Sequence, residues 1–233
     1  GTLYNYIGFI ANAVIGFFTL RLIVNSISVK EYGNYTTFLT TFEYCTMLLG
    51  FGASGALYRY SSELISRKSY KLLKKFITNI FIFQISVSLL GIIIFVIFKN
   101  TYLDLFDLRN GAKCMLFVYI LLSVQMINAL VFSLFESLLM QKVKNVIEVI
   151  YLSARFASLY YIYKSSANLY STMLIYFWVT IFWLIINFIF VIKKLNTLPS
   201  IDENESPGFF SRVKRFALFS YSDVIGDSIV GFG

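Results

Sequence analysis

The amino-acid sequence predicts an all-α integral membrane protein, and three observations favour this fold class. Of the 233 residues, 58% are hydrophobic and only 14% are charged, against roughly 45–50% and about 25% in soluble domains. The apolar runs are long enough for helices that cross roughly 30 Å of hydrocarbon, which takes about 20 residues. The short alternating segments of a membrane β-barrel are absent from the sequence. The apolar excess is therefore expected to face lipid.

The apolar runs predict six spanning helices and the start of a seventh. Those over residues 76–98, 114–135 and 169–192 contain no charged residue. The first two spans each contain one charged residue, and the fifth is shorter and contains Arg155. The predicted spans are, in chain order, residues 4–27, 35–57, 76–98, 114–135, 146–163 and 169–192, with a seventh beginning near residue 214.

One polar segment is long enough to separate two membrane bundles. Residues 193–213 contain three acidic residues and both prolines, and we interpret the segment as a cytoplasmic linker. It divides a six-helix lobe, residues 1–192, from the start of a second lobe, residues 214–233. Because the chain begins in an apolar run without Met and the seventh helix stops at Gly233, both ends are expected to be borders of a fragment.

The loops differ in basic residues, which predicts the orientation in the membrane. The loops before the third, fifth and seventh spans hold thirteen Lys and Arg residues, and the loops on the opposite side of the membrane hold five. Basic residues concentrate on the cytoplasmic side, so the N-terminus is expected to be cytoplasmic in the cell membrane. The five are Lys30, Lys99, Arg109, Lys113 and Lys164.

The composition also argues against several classes of function. The net charge of +8 comes from basic residues gathered between apolar runs, which favours anionic lipid head groups over nucleic acid as partners. With two cysteines and no histidine, neither a disulfide framework nor a Cys/His metal site is expected. No cofactor is predicted, and nothing pairs a Ser or Cys nucleophile with a base, so an enzyme is not expected.

Charged residues at membrane depth are the candidate functional residues, because a charge at the bilayer centre costs about 2.5–3.5 kcal/mol. By helical rise, Arg21 of the first span and Glu43 of the second fall at similar depths, so the two side chains are expected to be able to pair. Two interpretations stay open for them: a structural ion pair between helices, or substrate and ion binding.

Arg155 lies near the middle of the fifth span without a nearby acid on its own helix. A guanidinium suits a phosphate or carboxylate because its donors form a fixed fork, so we interpret Arg155 as part of a cavity for an anionic substrate. The alternatives are that it caps a carbonyl or pairs with Glu43.

Asp223 and Asp227 are spaced i and i+4 and therefore share one face of the seventh helix. Paired acids facing a lumen suit coupling to H⁺ or Na⁺. The alternative is the polar, cytoplasm-facing end of a helix that begins later.

The string from Gly50 to Gly55 matches G-x-G-x-x-G, the pattern of a dinucleotide-binding turn. That pattern has meaning only between a strand and a helix, whereas this copy lies near the end of an apolar helix. Its small residues are instead expected to allow close helix packing or a local bend.

A recognisable pattern begins with Ser28-Val-Lys-Glu-Tyr-Gly33-Asn-Tyr35 and continues, after an apolar helix, with Gly50-Phe-Gly52 and Tyr58-Arg59-Tyr60. It resembles the start of the polysaccharide flippases of the multidrug/oligosaccharidyl-lipid/polysaccharide exporter superfamily. Many members place an Arg a few residues before the motif, where this sequence has Asn25 or Ser26 and Arg21 lies about one turn earlier.

The resemblance implies a two-lobe transporter with pseudo-repeats, of the type of multidrug exporters, of which this chain holds the first six-helix lobe. It also implies the translocation of sugar units linked to undecaprenyl pyrophosphate. From their places in the spans, we expect Arg21 and Arg155 to bind the substrate and Glu43, Asp223 and Asp227 to couple to an ion. The first alternative is a cation-coupled drug or metabolite exporter, whose cavity should be lined with acids and aromatic residues rather than bases. The second, a glycosyltransferase or ligase, requires a catalytic group in a large loop, and the loops are short.

Overall fold

The computed structural model describes residues 2–105, 114–165, 167–199 and 208–230. Within these ranges the chain is helical and contains no strand, which confirms the predicted all-α class. Nine helices make up the described part of the chain: α1 Thr2–Ser26, α2 Val29–Leu49, α3 Ala53–Ser66, α4 Tyr70–Ile97, α5 Lys99–Leu105, α6 Met115–Ser137, α7 Gln141–Tyr163, α8 Leu169–Asn196 and α9 Phe209–Val230.

Helix α6 lies at the centre of the bundle and packs against α2, α3, α4, α7 and α8. Its buried side chains, such as Leu121 and Phe135, belong to two apolar clusters, one at each end of the bundle. Helix α1 packs mainly on α7. Large apolar side chains on α1, α4 and α8, including Phe9, Ile97 and Phe182, are exposed, as expected for surfaces that face lipid.

Four helices are long and apolar enough to cross a membrane among the described residues: Gly8–Ser26, Tyr70–Ile97, Phe117–Ser137 and Leu169–Asn196. They correspond to the first, third, fourth and sixth predicted spans. Helices α2 and α7, which hold the second and fifth, are less apolar, because α2 is rich in threonine and α7 contains Lys142, Lys144, Glu148 and Arg155. Their spanning the membrane stays a prediction.

The prediction of one continuous helix over residues 35–57 is wrong. Helix α2 ends at Leu49 and α3 begins at Ala53, because Phe51 and Gly52 adopt left-handed backbone angles, with φ of 47° and 65°. Gly52 also lies against α9, where an added Cβ would stand 2.4 Å from the carbonyl oxygen of Ala217. The expectation that these small residues allow a bend and close packing is confirmed.

Neighbouring side chains satisfy carbonyls that the break leaves without helical partners. The Tyr221 hydroxyl of α9 donates to the Leu48 carbonyl at 2.8 Å, and the Gln84 amide of α4 donates to the Leu49 carbonyl at 3.2 Å. A break at membrane depth requires such partners, since hydrocarbon offers none. The break is therefore stabilised by specific contacts from α4 and α9.

The structure describes both ends of the predicted linker, and both are helical. Helix α8 continues to Asn196 and α9 already begins at Phe209, so the helical part of the chain enters the predicted segment from both sides. Residues 200–207 lie outside the described part of the chain. Phe209 and Val213 of α9 are buried in the cluster that also contains residues of α3, α4 and α6. The division into two lobes stays a prediction.

Candidate functional site

A cavity of about 690 Å³ lies between α2, α6 and the break after α2, with single residues contributed by α7, α8 and α9. The break itself forms part of its wall, through Gly50, Gly52 and Ser54. The N-terminus of α3 therefore faces this cavity, and the helix dipole gives that side of the wall a positive potential.

Arg155 contributes the positive side chain of the cavity wall. Its Nη2 atom donates a hydrogen bond to the Tyr35 hydroxyl of α2, and its Cζ atom lies 4.3 Å from the centroid of the Tyr176 ring of α8. Its Nε atom is buried and has no hydrogen-bond partner among the residues that the structure describes. Among the described residues no acidic side chain forms an ion pair with Arg155. Its charge is therefore contacted by phenols but not neutralised.

Two amide side chains lie on one face of α6, three residues apart, and both line the cavity. Gln125 donates to the Tyr176 hydroxyl, which holds the ring beside Arg155. Asn128 is only 4% exposed, and its Oδ1 atom has no hydrogen-bond partner in the described part of the chain. A buried amide without a partner is costly, so the wall offers hydrogen-bonding capacity that a polar ligand can use.

Glu43 also lines this cavity, so the structure brings it and Arg155 to one site, as the sequence suggested. The two side chains form no ion pair in the described part of the chain. The cavity lining thus includes one base, one acid and the aromatic rings of Phe42, Phe132, Tyr176 and Tyr221. It matches neither the all-basic lining expected of a flippase nor the acidic and aromatic lining expected of an exporter.

Arg21 lies outside the cavity, exposed on α1. The expected pairing of Arg21 with Glu43 is not formed within the described ranges, because α1 packs principally on α7 and has only a small contact with α2. Similar depth along two helices does not make two side chains neighbours. The role of Arg21 stays a prediction.

Asp223 and Asp227 lie on α9, but their side chains are outside the described residues, so their ion-coupling role stays a prediction. Helix α9 does approach the cavity, through Tyr221. Glu136, at the end of α6, accepts a hydrogen bond from the Lys144 Nζ atom at 2.7 Å. This ion pair joins the end of α6 to α7.

The motif residue Glu31 has a structural function that the sequence left open. Its carboxylate accepts from Ser28 in a capping box at the start of α2, and from the Leu169 backbone N–H at 3.0 Å at the start of α8. Partial burial acts to raise the pKa of Glu31, but these hydrogen bonds outweigh it and lower the pKa below its usual value. Glu31 thereby joins the N-termini of two helices that wall the Arg155 site.

The tyrosines around Arg155 were missed by sequence reasoning. Tyr35 and Tyr176 are 120 and 21 residues from Arg155 along the chain, and no local spacing connects them. The amides Gln125 and Asn128 did have a signal: two polar residues at i and i+3 in an otherwise apolar span share one face.

These features define a class: a multi-pass helical membrane protein with a polar cavity at the depth of its spans. The sequence profile of the family described as polysaccharide biosynthesis protein matches residues 1–228, and the chain belongs to this family. The protein therefore acts in polysaccharide synthesis or export. No curated protein and no solved structure gives a significant match.

Proposed function

We propose that this protein translocates lipid-linked oligosaccharide, with the sugar units on undecaprenyl pyrophosphate, across the cytoplasmic membrane for surface polysaccharide synthesis. In this proposal it is a transporter and not an enzyme, and its N-terminus is cytoplasmic. The observation that supports the proposal best is Arg155, a charged side chain in the cavity wall that no acid of the described residues neutralises.

A pyrophosphate head cannot cross hydrocarbon unshielded, so its carrier must supply positive charge at membrane depth. Arg155 meets two requirements of such a site: within the described part of the chain its charge has no counter-ion, and its Nε donor has no partner. A guanidinium binds phosphate oxygens through paired donors. The α3 N-terminus at the break adds a second positive potential to the cavity wall.

The sugar units require hydrogen bonds rather than charge. Gln125, Asn128 and Ser54 line the same cavity, and the Asn128 Oδ1 atom lacks a partner. The aromatic rings of Phe42 and Phe132 provide apolar faces for sugar rings. In the proposed cycle the cavity opens alternately to each side while the lipid tail stays outside. Glu43, with Asp223 and Asp227, is assigned to a coupling ion, H⁺ or Na⁺.

The test is Arg155→Ala in a strain whose surface polysaccharide depends on the full-length protein. Losing a desolvated charge contact of 2–5 kcal/mol would lower transport by roughly thirtyfold or more, and lipid-linked sugar would accumulate in the inner leaflet. Arg67→Ala, which removes an exposed base paired with Glu63 at 2.9 Å, is the matched control and should leave polysaccharide unchanged. Membrane insertion is checked for both variants by quantifying the protein in purified membranes.

Arg21→Ala belongs in the same series, because Arg21 is the other proposed substrate-binding base. Loss of polysaccharide in this variant alone would assign the anion site to the exposed face of α1. Full polysaccharide with Arg155→Ala at normal membrane levels would overturn the assignment of Arg155.

One observation favours the alternative of a cation-coupled exporter of the same superfamily: Glu43 lies in the cavity among aromatic rings and without an ion pair in the described residues. A carboxylate beside aromatic rings suits an organic cation. Glu43→Gln separates the two functions, since an exporter would lose resistance to cationic compounds while polysaccharide stays intact. The flippase would lose polysaccharide instead, through its coupling ion.

A further inference from the structure

A second, apolar groove of about 390 Å³ lies between α3, α4 and α9. Its walls are almost wholly hydrocarbon, including Phe76 and Phe83 of α4, Phe51 of the break, and Ala217 and Leu218 of α9. Phe83 and Leu218 are 47% and 66% exposed, so the groove opens on the outer surface of the bundle. It is separate from the Arg155 cavity in its lining residues.

The groove begins near the basic end of the bundle and runs inward. From Phe76 to Phe83 it follows α4 for about 10 Å by helical rise, within the apolar helix Tyr70–Ile97. The only polar side chains in its lining are Asn79 and Lys214. Its walls thus lie at hydrocarbon depth, with a cation on the rim.

The rim has the chemistry that receives an anionic head group. Lys214 is exposed and forms no ion pair in the described part of the chain. Lys75, across the groove on α4, has its Nζ atom 6.0 Å from the Phe210 ring centroid of α9. Arg215, next to Lys214, is also exposed. Each base near a membrane surface contributes about 1 kcal/mol of attraction to anionic lipid.

The acyl chain alone cannot make this a specific site, because lipid tails are as apolar as the groove and gain little by exchanging one for the other. Selectivity must come from the head group. A groove at hydrocarbon depth below a cationic rim fits one molecule that combines both parts, a glycerophospholipid with a net negative charge.

We propose that this groove binds an anionic phospholipid, with one acyl chain against Phe76, Phe83 and Ala217 and its phosphate at Lys214. Asn79 is placed to bond the ester region between chain and phosphate. The bound lipid packs α9 onto α3 and α4 beside the break at Gly52. This proposal does not depend on what the Arg155 cavity transports.

The test uses the purified full-length protein in detergent, with dioleoylphosphatidylglycerol or dioleoylphosphatidylcholine added and bound lipid counted by native mass spectrometry. Phosphatidylglycerol should be retained preferentially. Lys214→Gln should lower its retention roughly fivefold, as expected from about 1 kcal/mol per base. Lys194→Gln, which removes an exposed base at the end of α8, is the matched control and should have no effect.

Filling the groove distinguishes a seated acyl chain from attraction to the basic surface alone. Ala217→Phe should abolish retention, and Asn79→Trp at the exposed rim serves the same purpose if the first variant does not fold. Retention that survives groove filling, equal retention of both lipids, or no bound lipid in the wild type would each overturn the proposal. Displacement of phosphatidylglycerol by equimolar undecaprenyl phosphate would assign the groove to the substrate tail and also overturn it.

Discussion

Arg155 differs from the bases at the ends of the bundle in the groups that surround it. Arg67 pairs with Glu63 and Lys144 pairs with Glu136, whereas Arg155 contacts the hydroxyl of Tyr35 and the ring of Tyr176. A buried carboxylate beside Arg155 would occupy the donors that a phosphate needs and would leave a buried charge behind whenever a ligand displaced it. The phenols satisfy part of the guanidinium without that competition.

At the residue scale, the sequence indicates which charged residues are candidates for function but not what surrounds them. Ionisable residues inside apolar runs are rare, so Arg155 and Glu43 could be selected by hydropathy alone. The pairing of Arg21 with Glu43 could not be decided in the same way, because rise along a helix gives depth but not the direction in which a side chain points. That direction follows from the packing of α1 on α7.

Glu31 provides a pH-dependent prediction. Since the hydrogen bonds from Ser28 and Leu169 lower its pKa, the folded state favours the carboxylate. Its stabilisation is fully present above the unfolded pKa, about 4.3, and is lost as the pH falls through the lower folded pKa. Glu31→Ala should cost about 1 kcal/mol at pH 7, the usual value of a cap, and the difference from wild type should shrink on acidification.

Thermal unfolding in detergent between pH 3 and 7 measures this difference. Glu31→Gln is the companion variant, because its amide oxygen still accepts a hydrogen bond but does not ionise. A Glu31→Ala difference that is constant across this pH range would contradict the role of the charge.

At the scale of elements, the break after α2 was invisible to hydropathy, because an apolar run looks the same whether or not its helix continues. The three glycines predicted only that a bend or close packing was available. Whether the helix breaks at this point depends on α9. The Ala217 carbonyl of α9 lies beside Gly52, and the Tyr221 hydroxyl donates to the Leu48 carbonyl that the break leaves without a helical partner. Partners more than 160 residues away along the chain were outside the reach of a local pattern.

Gly52→Ala tests the break directly. The new Cβ would stand 2.4 Å from the Ala217 carbonyl oxygen at a residue with φ of 65°, so both a clash and backbone strain of about 1–3 kcal/mol are expected. The melting temperature should fall, and α9 should become more accessible to protease.

Gly33→Ala is the matched control, because Gly33 lies inside α2 with no atom near its missing Cβ. There alanine should be neutral or stabilising by up to about 1 kcal/mol. Equal melting temperatures for the two variants would show that the break does not require glycine at position 52.

At the scale of the whole molecule, the distribution of basic residues predicts which side faces the cytoplasm. The turn after α3 and the turn before α8 lie at opposite ends of the alternating helices, and Ser66 and Ser165 are exposed there. In a variant with Cys45 and Cys114 replaced by Ala, Ser165→Cys should react with a membrane-impermeant maleimide in intact cells. Ser66→Cys should react only after the cells are opened, and the reverse pattern would show the opposite orientation.

Four apolar spans were predictable because most of their side chains face either lipid or the apolar interior of the bundle. Helices α2 and α7 were harder to recognise as spans, because they carry polar residues that line the cavity. They supply Glu43 and Arg155 to the cavity, and polar residues that face a cavity lower the hydropathy by which a span is recognised.

In the proposed transport of an anionic substrate, the hydrogen bond between Arg155 and Tyr35 has a consequence for turnover. A neutral phenol oxygen does not repel an arriving anion, and it is already in place when the anion leaves. The empty and the loaded protein then differ in which acceptor the Arg155 guanidinium bonds, the Tyr35 hydroxyl or the anion. The difference in free energy between the two states therefore stays small. A transporter that must release its substrate in every cycle requires this small difference in free energy.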